Sequence, residues 1–174
     1  MNHRASFVLL IGLGLIVPIG TRASTPQKLG PRDPAQAAVR AFYQFHLIHE
    51  KNFTARNVRL RKRWLTPELF GLLLGELKRE AEESKAHPDE APYFEGDPFT
   101  DSQEYPDSFR VGQSEVNGDL AKVTVTLLWS ARTSRGRDKR DIVVEVTRTS
   151  AAWLINDVLH GDGGRLKDEL KRPR

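Results

Sequence analysis

The feature that most limits the fold is a change of period partway along the chain. Up to Lys85 the apolar residues recur at helical spacing, and from Phe109 onward they alternate. Alternation marks strands with one buried face, because successive side chains leave a strand on opposite sides. Phe109 to Glu115 reads as a strand and Asn117-Gly118 as a hairpin turn signal. In the next strand Val123, Val125, Leu127 and Trp129 point one way, and Lys122, Thr124 and Thr126 the other. A basic loop from Arg132 to Arg140 leads to Ile142, Val144 and Val146. A last strand sets Trp153, Ile155, Asp157 and Leu159 on one face. The sheet expected from this pattern is an antiparallel four-stranded meander.

The helices before it carry their own start signals. Asp33 can cap a helix with Pro34 in its first turn, and Val39, Phe42, Tyr43, His46 and Glu50 then share a face. A very basic segment, Arg56 to Trp64, supplies a turn or two of helix. Thr66-Pro67-Glu68 starts another helix, with Phe70, Leu73, Leu74, Leu77 and Ala81 as its expected buried stripe. Helices first and a meander afterwards give an α+β class, with the N-terminal helices packed in the concave face of a curved sheet. Between the two halves, His87 to Asp107 holds four prolines but also Tyr93, Phe94, Phe99 and Tyr105. Aromatics at that density argue for a segment that packs across the fold.

Residues 1–23 have a basic start, an apolar middle and a small-residue exit at Thr21-Arg22-Ala23. That order predicts a secretory signal peptide cut after Ala23. A flexible linker over 24–32 and a single domain over 33–174 follow. The expected location is the periplasm or the exterior, with no stable membrane anchor after cleavage. The chain has no cysteine, which excludes disulfides, thiol catalysis, thiolate metal sites and lipid attachment through a thioether. Losing Arg4 and Arg22 with the leader takes the basic residues from 27 to 25 against 23 acids, a formal charge of +2. So small an excess does not point to nucleic acid.

One run is specific enough to suggest kinship. Tyr93-Phe94-Glu95-Gly96-Asp97-Pro98-Phe99-Thr100-Asp101-Ser102-Gln103 leads into Pro106-Asp107-Ser108-Phe109-Arg110-Val111-Gly112. With Val39-Arg40-Ala41-Phe42-Tyr43 before it and Trp153 to Val158 after it, the chain resembles the bacterial domain of unknown function 3828 from about Ala35 to Leu170. That family looks like part of the nuclear-transport-factor-two-like, or cystatin-like, superfamily of cone-shaped α+β domains. The resemblance implies a curved sheet holding helices, often with a pocket, and it implies no reaction. Many of its members are exported lipoproteins, and this chain lacks the cysteine they use.

Several residues could carry chemistry. Asp157, placed by alternation beside Trp153 and Ile155, could be a general base inside the cone, with Tyr43 as hydrogen-bond donor and His46 as partner. Asp97, Phe99 and Gln103 form the core of the family-like loop. The bland role for them is structural: a turn at Asp97-Pro98, Phe99 plugging an apolar gap and Gln103 bonding backbone groups. Two basic clusters could dock an acidic surface. One is Arg56, Arg59, Arg61, Lys62 and Arg63 around Trp64, and the other centres on Arg135, Arg137 and Arg140. His46 and His49 lack zinc-protease spacing, and Asp97, Asp101 and Glu104 lack the calcium-loop glycine, so no metal or cofactor site is assigned.

The function expected from these features is an exported, non-enzymatic binding or interaction module of uncharacterised role, with an unknown small ligand or an envelope protein as its partner. The alternative is a pocket protein for a small ligand, or an isomerase- or dehydratase-like enzyme using Asp157, Tyr43 and His46. A homodimer could form through an outer sheet face bearing Leu128, Val143, Leu154 and Val158.

Overall fold

The computed structural model describes residues 33–94, 96–130 and 138–173. The expected leader and linker, and Arg135 and Arg137, lie outside the described residues.

Helix α1 spans Pro34–Ile48, where Asp33 Oδ1 accepts a 2.9 Å bond from the Ala35 amide. Its buried stripe is Ala35, Val39, Phe42, Tyr43 and His46. Helix α2, Ala55–Arg61, is capped by Thr54 and runs into a 3₁₀ turn over Lys62–Trp64. Helix α3, Pro67–Ala86, is capped by the Thr66 hydroxyl. Each cap satisfies an amide that the first turn of a helix leaves without a partner. The buried line of α3 runs through Leu69, Leu73 and Glu76, while Phe70, Leu74 and Leu77 are partly buried and Ala81 is exposed. The expected stripe is thus rotated by about one residue.

The sheet is β1 (Ser108–Asn117), β2 (Leu120–Trp129), β3 (Asp138–Arg148) and β4 (Trp153–Leu159), antiparallel and in sequence order. Asn117 pairs with Leu120, so Gly118 and Asp119 make the turn, with Gly118 at φ +61. Ala121, Val123, Val125, Leu127, Ile142, Val144 and Val146 line the inner face, and α1 crosses it. The result is an α+β fold with helices on a curved, open sheet.

Strand β4 departs from simple alternation. Val146 faces Ile155, Glu145 faces Asp157 and Val144 faces Val158, which leaves Asn156 as an extra residue. A bulge of this kind turns the following side chains over. Val158 is therefore fully buried in the core and not on the outer face, and Asp157 shares a face with Glu145. The free edge of β4 is partly covered, since the Thr66 amide donates to the Ile155 carbonyl at 2.9 Å. Helix α4, Leu166–Lys171, closes the fold with Leu166 and Leu170 buried.

The segment from His87 to Asp107 has no helix or strand longer than a bridge among its described residues, and it reaches into the core. Phe99 is 2% exposed, with its ring 5.0 Å from Phe42 and 5.3 Å from His46. Burying a phenylalanine this completely contributes roughly 1.5–3 kcal/mol, so the loop is part of the core.

Candidate functional site

Tyr43 and His46 lie one turn apart on the inner stripe of α1, and what surrounds them decides their chemistry. Arg61 ends α2 and is buried, although its neighbours Arg59, Lys62 and Arg63 are exposed. Its Nε–H donates to His46 Nδ1 at 2.7 Å, and its terminal nitrogens donate to the Asn57 and Glu50 carbonyls at 2.8 Å each. Arginine can only donate. His46 therefore accepts at Nδ1, carries its proton on Nε2, and gives it to Asp97 Oδ2 at 2.5 Å. A buried cation and a buried carboxylate are thus joined through one imidazole. Burial lowers the Arg61 pKa, and the nearby Asp97 opposes that shift.

The loop that delivers Asp97 is tightly specified. Gly96 has φ +122, and a Cβ there would stand 2.4 Å from the Ser102 carbonyl oxygen, so no side chain fits. The Asp97 carboxylate also accepts from the Phe99 amide and the Thr100 hydroxyl, each at 3.0 Å. Tyr43 donates its hydroxyl to the Phe99 carbonyl at 2.8 Å. Burial, and then the charge of Asp97, hold the Tyr43 pKa well above the usual phenol value. The space left beside His46, Arg61 and Asp97 is about 10 Å³, at the lower limit for one water.

Asp157 belongs elsewhere. Its Oδ1 accepts from the amides of Val158 and Lys167 at 2.9 and 3.0 Å, and its Oδ2 accepts from Arg165 Nε at 3.0 Å. Arg165 also reaches Glu145 Oε2 at 2.6 Å, so the guanidinium spans the cross-strand pair that the bulge creates. Asp157 ties the start of α4 to the sheet. Tyr43 and His46 are ring neighbours at 6.1 Å, but none of the hydrogen bonds of Asp157 goes to either. A base–donor pair acting on one substrate atom needs a shared space, and these groups lie against filled core.

An open hollow of about 500 Å³ lies on the other side of the same loop. Phe94, Asp97, Asp101, Gln103, His160 and Glu169 contribute to its wall. Gln103 is at its exposed rim. Arg140 reaches it from β3, donating to the Asp101 carbonyl and, at 3.2 Å, to Asp101 Oδ2. Of the expected binding residues, Asp97 and Phe99 are buried, Asp97 also bordering the hollow; Gln103 lines its rim, and Arg140 bonds Asp101 in its wall.

Thr100, His160 and Glu169 were not expected from the sequence, and Arg61 was expected only as one member of a basic docking cluster, whereas it is buried. His160 follows directly on β4, and the nearby Asp162 was the one signal that could have drawn attention to it.

The sequence matches no family model and no curated protein. Two solved structures match part of the chain. One is the type VI native effector–immunity complex Tae3–Tai3 from Ralstonia pickettii, with 20% identity, a TM-score of 0.46, 71% of this chain and 91% of that chain covered. The other is a protein of unknown function from Bacteroides thetaiotaomicron, with 18% identity, a TM-score of 0.40, 71% of this chain and 87% of that chain covered.

Proposed function

We propose that the protein is an exported, non-enzymatic binding module, cut after Ala23 and acting on an envelope protein through the rim of the 500 Å³ hollow. One observation carries the reading: the groups that could do acid–base chemistry are spent inside the fold. Tyr43, His46, Asp97 and Asp157 are each engaged in internal hydrogen bonds; of the four only Asp97 also borders the hollow, and the space beside it, His46 and Arg61 is about 10 Å³. An isomerase- or dehydratase-like site on Asp157, Tyr43 and His46 therefore has no support in this geometry. Kinship with the domain of unknown function 3828 belongs to the same reading, and the α+β cone agrees with it.

The test uses the full chain with a photo-crosslinking residue at Gln103 or, as a control, at the exposed Arg110 of β1. The expected result is a mature N-terminus at Ser24 in the exported fraction. Crosslinking from position 103 alone should yield one envelope protein, which rebinds the purified chain with 1:1 stoichiometry. A chain that keeps its leader inside the cell, or equal crosslinking from both positions, would overturn the proposal.

The hollow also favours a second reading. Its volume falls within the range of about 300–1,000 Å³ typical of small-ligand sites, but its wall is largely charged and polar. Any small ligand it takes is polar.

A further inference from the structure

We propose that Asp101, His160 and Glu169 in the wall of the hollow, together with the exposed Asp162 beside them, form a binding site for a divalent transition-metal cation. The argument begins with His160, which is 6% exposed. Its Nε2 lies 3.3 Å from the Pro98 carbonyl oxygen, and a carbonyl can only accept. Its Nδ1 lies 3.2 Å from Glu169 Oε1 and 3.8 Å from Asp101 Oδ1, both carboxylate oxygens. A neutral imidazole has one N–H. Whichever nitrogen carries it, the other turns a lone pair toward an acceptor. With the proton on Nε2, bonded to Pro98, the unshared pair of Nδ1 points at two carboxylates. Something positive must stand between them, either a second proton or a metal ion.

The surroundings favour the metal. One ligand atom each from Asp101, His160 and Asp162 lies within 4.8 Å of the others. Metal-bound histidines commonly donate their second ring N–H to a carbonyl or carboxylate, and Pro98 stands in that place. The Gly164 amide fixes Asp162 Oδ1 at 2.8 Å. A Cβ at Gly164 would come within 3.1 Å of both Asp162 Oδ1 and Glu169 Oε1, so glycine leaves these two carboxylates room to converge. Arg140 offsets the charge of Asp101 only, leaving the cluster net negative. One imidazole nitrogen among carboxylate oxygens suits zinc or manganese better than calcium or magnesium, which prefer oxygen alone. The site goes beyond the binding-module reading and does not depend on it, because a metal titration needs no protein partner.

The experiment is calorimetric titration of Zn²⁺ into the metal-stripped mature chain, purified without a polyhistidine tag. Wild type should bind one Zn²⁺ and melt at a higher temperature with it. Asp162→Asn keeps the carbonyl oxygen that Gly164 bonds, and without metal it should melt with wild type. It should bind Zn²⁺ tenfold or more weakly, as should His160→Gln. Nitrogen-15 spectra read the alternative directly. Both His160 nitrogens protonated at neutral pH and unmoved by Zn²⁺ would overturn the site, as would equal affinity in wild type and Asp162→Asn. Crosslinking from Gln103 can succeed in chelator whatever the metal result, so the two proposals fail separately.

Discussion

Around His46 each acceptor meets a donor: Arg61 gives to the ring, the ring gives to Asp97, and Asp97 also takes the Phe99 amide and the Thr100 hydroxyl. Around a neutral His160 the acceptors meet one another: a carbonyl on one nitrogen, two carboxylates on the other. The clusters share the loop that carries Asp97 and Asp101, and both hold a buried imidazole beside carboxylates. Residue type therefore does not separate a structural cluster from a ligand site. The count of donors against acceptors does, because a buried polar group left unmatched costs about as much as the bond it lacks.

The sharpest way to break this comparison is Asp97→Ala. It strands the Arg61 cation and the His46 Nε2 proton in the interior, so unfolding in urea should show a loss of about 3–5 kcal/mol. A loss under ~1 kcal/mol would mean that the His46 chain does not hold the loop, and the contrast with His160 would lapse. Tyr43→Phe asks the same question with less force. It removes the donor to the Phe99 carbonyl and should cost about 1 kcal/mol, with an unchanged denaturant slope.

The smallest expected effect lies outside both clusters, at Glu68. Hydrogen bonds from Lys167 and then Lys171 hold its pKa at about 2, tying α4 to α3. A carboxylate whose folded pKa is depressed contributes above its unfolded value and loses that contribution as pH falls through the folded one. Stability from this contact should be complete above about pH 4.5 and fade toward pH 2. Glu68 is more than half exposed, so solvent screening keeps the effect under ~1 kcal/mol. Wild type and Glu68→Gln melted from pH 5 to pH 2 should converge at the acid end. A difference that grows as pH falls would contradict the assignment.

Much of the fold was legible because local chemistry and tertiary demand agree. Asp33-Pro34 and Thr66-Pro67 state their helix starts, and the alternation in β2 and β3 states their faces. Phe99 could be read as a plug because an aromatic among prolines has little else to do. The bulge at Asn156 could not be read, since an extra residue in β4 shows only against the register of β3. Simple alternation then put Asp157 on the face of Ile155 as a candidate base and Val158 on the outer face as a candidate contact; the register exchanges these faces, although Asp157 stays buried beside α4. Arg61 stayed hidden for a different reason. One buried arginine in a basic helix differs from its neighbours only by the angle that α1 requires.

A single residue, Thr100, separates Phe99, fixed in the core, from Asp101 in the wall of the hollow. Anything that grips Asp101 from outside therefore pulls on the same short stretch that seals the interior. Occupancy and global folding become a single thermodynamic quantity. At a free-ligand concentration a hundred times Kd the folded state gains about 2.7 kcal/mol. Resistance to proteolysis would then vary with what the surroundings supply, and the lifetime of the protein would report whether Asp101 is engaged.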